Sequence, residues 1–211
     1  MHFSTFFFDL DETLYPASSG LWEAIRGRIN LYLRERMGFT PEEIDARRES
    51  YFRKYGTTLR GLQANYQVDM EDYLAFVHAI PLKEYIHPDP ALRTMLERLP
   101  GRKFIFTNAD RSHATRVMNV LGVADLFESI LDVHVIAPYC KPEPGAFELA
   151  LKAAGGPDPH QCVLIDDQAR ITRAARQLGF YAVLMGKDSV SPDADAVIAS
   201  LKDLPLALEH S

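Results

Sequence analysis

Apolar residues gather into short unbroken runs at three places, and each run stops abruptly at polar groups. They are Phe6-Phe7-Phe8 before Asp9, Phe104-Ile105-Phe106 before Thr107-Asn108, and Val163-Leu164-Ile165 before Asp166-Asp167. A run of this length bounded by polar residues predicts a buried parallel strand. Between the first and second runs the pattern changes to helical spacing, with Leu21, Trp22, Ile25, Ile29, Tyr32 and Leu33 on one face. Thr40-Pro41-Glu42-Glu43 predicts a helix start, with Thr at the cap, Pro at the first position and Glu three residues after the cap. Asp69, followed by Glu71 and Asp72, predicts another, and no strand pattern appears before Lys103. Asp89-Pro90 opens a helix that leads into a strand at 102–107. Beyond it, helices at 110–121, 144–154 and 168–178 alternate with strands at 130–134, 162–166 and 181–185, and a last strand falls near 196–199. That alternation predicts an α/β fold, a doubly wound parallel Rossmann-like sheet. The expected division is a core from 1–15 and 89–211, with an all-helical cap inserted at 16–88.

In open α/β sheets the ligand site lies beyond the carboxyl ends of the strands. Asp9, Asp11, Thr107, Asn108, Asp166 and Asp167 are therefore expected at one sheet edge. Two carboxylates two residues apart in extended chain share a face and repel, so at least one needs a cation or a proton. Mg²⁺ suits such a pair, because it takes one or two carboxylates together with water and phosphate oxygens. One carboxylate can then attack phosphorus while the other protonates the leaving oxygen and activates water. Paired acids at the end of a buried strand, as at Asp166-Asp167, are costly without a cation. Thr107 and Asn108 offer a hydroxyl and an amide for phosphate oxygens. Lys141, in the proline-rich segment Cys140-Lys141-Pro142, offers a point charge for phosphate.

Composition narrows the classes. The 211 residues, 47% hydrophobic, suffice for one large domain or a domain with an insertion. Net charge is −6; residues 15–88 are neutral, with ten acidic and ten basic side chains, so the remainder carries the whole excess. No basic stripe suits polymeric nucleic acid, and a small phosphate ester handled through Mg²⁺ fits an acidic core better. No apolar run is long enough to span a bilayer. Met1-His2-Phe3-Ser4 lacks the basic region of a secretion signal, so cytoplasmic localisation is expected, as a monomer or homodimer. Cys140 and Cys162 give no disulfide framework and read as free thiols, Cys162 at the start of a core strand; the seven histidines form no metal pattern.

The ordered set Asp9-Leu10-Asp11-Glu12-Thr13, Thr107, Lys141 and Asp166-Asp167 resembles the four motifs of the haloacid dehalogenase-like superfamily of phosphohydrolases. The resemblance implies Asp9 as nucleophile and Asp11 as general acid/base. It implies Thr107 on the phosphoryl group and Lys141 balancing charge on Asp9 and phosphate. Asp166 would ligate Mg²⁺ along with Asp9 and the Asp11 carbonyl, with Asp167 one layer further out. Dehalogenases of the superfamily lack an acid at the position of Asp11, so this chain looks like a phosphatase or phosphomutase. DLDETLYP, YFRKYGTTLRGL, IFTNADRSHA and CKPEPGAFELAL resemble the pyrimidine 5′-nucleotidase branch. That branch implies UMP or CMP as substrate. One departure stands out: members often carry Asn where this chain has Ile171, so support for Lys141 or Asp167 must come from elsewhere.

Within the helical insertion, Gly56-Thr57-Thr58-Leu59-Arg60 reads as a polar turn, in which Thr58 and Arg60 are candidates for contacting a base or ribose or else merely terminate a helix. His78 and Arg111 read as structural, and His113 as a candidate for the pocket rim. Tyr15 is set apart by its place just after the first motif. A phosphatase of small sugar or organic phosphates is a second reading. A catalytically silent binding or regulatory protein on the same scaffold is a third, opposed by the intact Asp9, Asp11, Lys141 and Asp166.

Overall fold

The computed structural model describes residues 3–187 and 190–209. Met1 and His2, part of the segment read for a targeting signal, lie outside the described residues. In chain order the elements are β1 (Thr5–Phe8), α1 (Leu21–Glu35), α2 (Pro41–Tyr55), α3 (Thr58–Asn65) and α4 (Met70–Val77). There follow α5 (Pro90–Arg98), β2 (Arg102–Phe106), α6 (Arg111–Leu121), β3 (Ser129–Leu131), α7 (Pro144–Ala153) and β4 (Cys162–Asp166). The chain ends with α8 (Ala169–Gln177), β5 (Tyr181–Met185), β6 (Ala196–Ile198) and α9 (Leu204–Glu209). Two compact units result, one from residues 1–18 with 86–211 and the other from 19–85.

The first unit is built on a six-stranded sheet of order β3-β2-β1-β4-β5-β6, parallel throughout. This is the doubly wound α/β fold expected from the alternation. β1 is central and wholly buried, which explains its unbroken run of phenylalanines. Phe7 faces a cluster with Phe104, Phe106, Phe147, Ile171 and Phe180. Phe8, one residue on and on the opposite face, packs edge-on against Phe127 with centroids 5.7 Å apart. In register, Phe8 pairs with Ile105 on one side and Ile165 on the other. Asp9 therefore leaves β1 level with Asp166, and its N–H still donates to the Ile165 carbonyl at 2.9 Å.

Two expectations shift. The strand expected at 130–134 ends at Leu131. Asp132 leaves the ladder because its buried carboxylate accepts from the N–H groups of Arg111 (2.9 Å) and Val135 (3.2 Å), tying the start of α6 to a turn. The closing helix α9 was not expected, since its short apolar run Leu204-Pro205-Leu206-Ala207-Leu208 shows no helical period.

In the second unit, Leu21, Ile25, Ile29, Tyr32 and Leu33 form the buried face of α1, as the spacing predicts, while Trp22 is only half-buried. Thr40 and Glu43 form the expected capping box of α2, and Asp69 caps α4 through the N–H groups of Glu71 and Asp72. Gly61 is required inside α3 by the close approach of α2: a Cβ there would lie 2.3 Å from Cγ of Tyr51. The atom it meets is the root of a buried ring, which cannot swing aside. Gly61→Ala is therefore expected to lower stability by about 1–3 kcal/mol, read as a drop in the urea midpoint. An unchanged midpoint would show that α2 and α3 can separate freely.

Candidate active site

The carboxyl ends of β1, β2 and β4, with the loop before α7, bring the acidic and basic residues together. Lys141 lies at the centre. Its Nζ donates to Asp9 Oδ1 and to Asp166 Oδ2, both at 2.7 Å, and all three side chains are buried or nearly so. The ammonium also stands 5.1 Å from the centroid of the Phe106 ring. Asp166 Oδ1 accepts from the Gln168 N–H at 2.9 Å, which fixes that carboxylate at both oxygens. Asp167 completes the group: Asp9, Asp166 and Asp167 each offer a carboxylate oxygen within 4.8 Å of the others.

The electrostatics of this group are unbalanced. Three carboxyl groups share a buried edge with one ammonium. Burial raises Asp9 well above the usual carboxylate range; Lys141 opposes this, while Asp166 and Asp167 add to it. Burial, and then the charge of Asp166, push Asp167 up to about 7. Burial would lower the Lys141 ammonium, but Asp166 and Asp9 outweigh it and hold the group above an ordinary lysine. Asp167 Oδ1 is buried with no hydrogen-bond partner. A buried acceptor left unpaired is costly. An unpaired carboxylate oxygen beside two further carboxylates is the donor set of a hard divalent cation, and the residues fit Mg²⁺.

Asn108 does something its place at a strand end did not suggest. A candidate for phosphate oxygens, its amide holds the Lys141 backbone from both sides. Oδ1 accepts from the Lys141 N–H at 2.8 Å, and Nδ2 donates to the Lys141 carbonyl at 3.1 Å. This is support for Lys141 from a source other than residue 171, and Ile171 itself is packed in the apolar cluster beneath the sheet. Thr107 is buried, and its Oγ1 accepts from the Ala109 N–H at 3.0 Å. Its hydroxyl hydrogen remains a donor at the strand end.

Asp11 is held two residues beyond Asp9. Its Oδ1 accepts from the Tyr15 hydroxyl at 2.6 Å and lies 2.9 Å from His113 Nε2. Burial, and next the charge of Asp11, raise the Tyr15 phenol, so it stays a donor. His113, a candidate for the pocket rim, is fully buried in the first turn of α6. Arg111 is structural as expected, its guanidinium on the Ile130 carbonyl at 2.7 Å. Among the described non-glycine residues, Glu12 has a left-handed φ of 59°, and it stands directly after Asp11. Such strained positions gather at functional loops.

Thr58 and Arg60 belong to the helical unit. The polar turn expected at 56–60 is shorter than the sequence suggests. Thr57 caps α3 by accepting the Arg60 N–H at 3.1 Å, so Thr58 and Arg60 lie in the first helical turn. Arg60 Nη1 donates to Gln63 Oε1 at 3.0 Å. The interruption between helices reduces to Gly56, with φ 82°, and Thr57. Of the two cysteines, both buried, Cys162 opens β4 as expected and burial pushes its thiol up to about 12, which makes it a poor nucleophile. No helix among the described residues is long and apolar enough to cross a membrane.

The fold and the acidic sheet edge together define a doubly wound α/β protein with its polar residues at the strand ends. A model of the haloacid dehalogenase-like hydrolases matches residues 3–179, and the chain belongs to that family. Phosphate metabolism protein 8 of Saccharomyces cerevisiae is 29% identical over an alignment of 231 positions that takes in 97% of this chain and 72% of that protein. Among solved structures, CbbY from Rhodobacter sphaeroides in complex with phosphate superposes with a TM-score of 0.71 at 18% identity, covering 98% of this chain and 99% of that one. A HAD phosphatase from Thermococcus onnurineus gives 0.66 at 19% identity, with 97% of each chain covered. At these identities the structural likeness speaks to the fold.

Proposed function

We propose that the protein is a Mg²⁺-dependent phosphomonoesterase working through an aspartyl-phosphate on Asp9, with pyrimidine nucleoside 5′-monophosphates as its substrates. The observation that carries the reading is the Lys141 ammonium shared at 2.7 Å between Asp9 and Asp166. An ion pair to Oδ1 fixes the Asp9 carboxylate and screens its charge, which otherwise repels an approaching phosphate dianion. Asp9 attacks phosphorus, the bond to the ester oxygen breaks, and Asp11 gives that oxygen a proton. Asp11 then takes a proton from the water that attacks the phosphoryl group, and Asp9 leaves as carboxylate. The Thr107 hydroxyl and Lys141 hold the phosphoryl oxygens. Asp9, Asp166 and the Asp11 carbonyl would hold Mg²⁺, with the unpaired Asp167 oxygen as a further donor. The ion supplies charge neutralisation for the phosphoryl group.

A divalent cation should stabilise the protein apart from any turnover. At a hundred times its dissociation constant, Mg²⁺ is expected to add about 2.7 kcal/mol, seen as a rise in melting temperature. Asp167→Asn should shrink that rise. A melting temperature indifferent to Mg²⁺ would refute the metal assignment.

Specificity for pyrimidine nucleotides rests on the resemblance of the Tyr55–Leu62 block, and Thr58 and Arg60 are the residues proposed to read the base. A second reading, a sugar phosphatase, is favoured by CbbY from Rhodobacter sphaeroides, a mutant of which has been solved in complex with xylulose-(1,5)bisphosphate. A panel of phosphate esters tests both. UMP and CMP should exceed AMP and GMP in kcat/KM by about 10- to 100-fold, the size expected when a wrong base leaves a buried polar group unpaired. Thr58→Ala and Arg60→Ala should lower kcat/KM for UMP and spare an aryl phosphate. Sugar phosphates turned over faster than every nucleotide would establish the second reading.

A further inference from the structure

We propose that Tyr15 and His113 are a positioning pair that fixes which oxygen of Asp11 handles the proton, and so govern general acid catalysis without touching the substrate. The inference rests on the reading of Asp11 as general acid/base given above. Its own basis is geometric. Tyr15 comes from the loop after β1, and His113 from the first turn of α6, 102 residues away in sequence from Asp11. Both are buried, at 2% and 1% exposure. Both polar atoms converge on one oxygen, Oδ1, at 2.6 and 2.9 Å.

Two partners on the same oxygen have a definite consequence. An ionised carboxylate only accepts, so the Tyr15 hydroxyl and an Nε2–H of His113 both donate to it. When Asp11 is protonated, an oxygen already accepting two donors is the poorer place for the proton. The proton therefore sits on Oδ2. In the first step the ester oxygen leaves phosphorus as the Asp9–phosphorus bond forms, and the Oδ2 proton passes to that oxygen. In the second, water adds to phosphorus, the Asp9–phosphorus bond breaks, and the water's proton returns to Oδ2. Neither Tyr15 nor His113 gains or loses a proton. Their contribution is to stop the carboxyl group rotating, so that Oδ2 keeps one position through both steps. Placement of this kind matters steeply, since about 1 Å of misplacement can cost on the order of 100-fold.

The role predicts a dependence on the leaving group that a purely structural role does not. A primary alkyl phosphate such as glycerol phosphate needs a proton on its leaving oxygen, whereas p-nitrophenyl phosphate departs without one. The readout is kcat/KM, which covers only the steps through formation of the phosphoenzyme. Tyr15→Phe and His113→Leu are each expected to lose about 10- to 100-fold on glycerol phosphate and less than about 3-fold on p-nitrophenyl phosphate. Tyr15→Phe removes one oxygen and keeps the ring, so it reports even if His113→Leu does not fold. His113→Gln keeps a donor and should recover most of the alkyl activity. Equal losses on both esters, or no loss on either, would overturn the proposal, as would a His113→Gln enzyme as impaired as His113→Leu. Asp11→Asn separates the two levels. If it shows the leaving-group dependence and the pair variants do not, the positioning role fails alone. If it shows none, the general acid reading fails and the pair's role goes with it.

Discussion

Asp9→Asn is expected to abolish turnover, by roughly 10⁴-fold or more, because the amide has the shape of the carboxylate but not its nucleophilicity. The fold should survive. Asn keeps an oxygen for the Lys141 ammonium and removes one of three carboxyl groups crowded at a buried edge. The melting temperature without divalent cation should therefore hold or rise. Kinetics on an aryl phosphate and a thermal melt check both halves. Turnover at the wild-type rate would remove Asp9 from the reaction, and a large fall in melting temperature would show that the loss of activity reflects unfolding.

Lys141→Met is the second large effect, and it has two parts. Loss of the one ammonium in the cluster should lower kcat by about 10²–10³-fold, the usual cost of deleting a charge aimed at the reacting group. It should also destabilise the protein by roughly 3–5 kcal/mol, because removing one member of a buried ion pair leaves its partners uncompensated. Asp9 and Asp166 are those partners, each 2.7 Å from Nζ. A divalent cation should return much of the stability and little of the rate. Unfolding curves with and without Mg²⁺, beside steady-state kinetics, separate the two. A variant as stable as wild type in the absence of metal would mean that the cluster tolerates its own repulsion. By contrast Asn108→Ala, which removes only the clamp on the Lys141 backbone, should cost about 10- to 100-fold in kcat with a small change in stability.

The sheet and its acidic edge were legible because they rest on local signals. Three buried strands must be apolar along their length, and a carboxylate directly after one is costly unless it serves a purpose, so Asp9 and Asp166 stand out in a single sequence. Helix starts such as Thr40-Pro41 and Asp69 are likewise written in consecutive residues. The less legible parts depend on distance or competition. His113 reaches Asp11 only because α6 follows β2, the neighbour of β1 in the sheet. In sequence it is a lone histidine whose spacing from Ala114, Val117, Met118 and Leu121 puts it in the apolar stripe of α6, but nothing local names its partner. Asn108 could hold either a ligand or backbone, and its partner, Lys141, lies 33 residues on. Thr58 to Arg60 looked like a turn because Gly, Thr and Thr are consecutive, yet a single capping bond from Thr57 lets the helix begin at once. Buried polar residues without a local reason, such as His113 and Asp132, are the signal that would have pointed to long-range partners.

If Asp9 is the nucleophile, it carries the phosphoryl group in turnover. The direct measurement is to mix the Mg²⁺-loaded enzyme with a saturating aryl phosphate, quench in acid within one turnover, and map the phosphorylated residue by peptide mass spectrometry. A phosphoryl group is expected on the carboxylate of Asp9, absent in Asp9→Asn, and decaying with time as water attacks it. Phosphate found on another side chain, or a full turnover with no phosphoenzyme at any time, would contradict it.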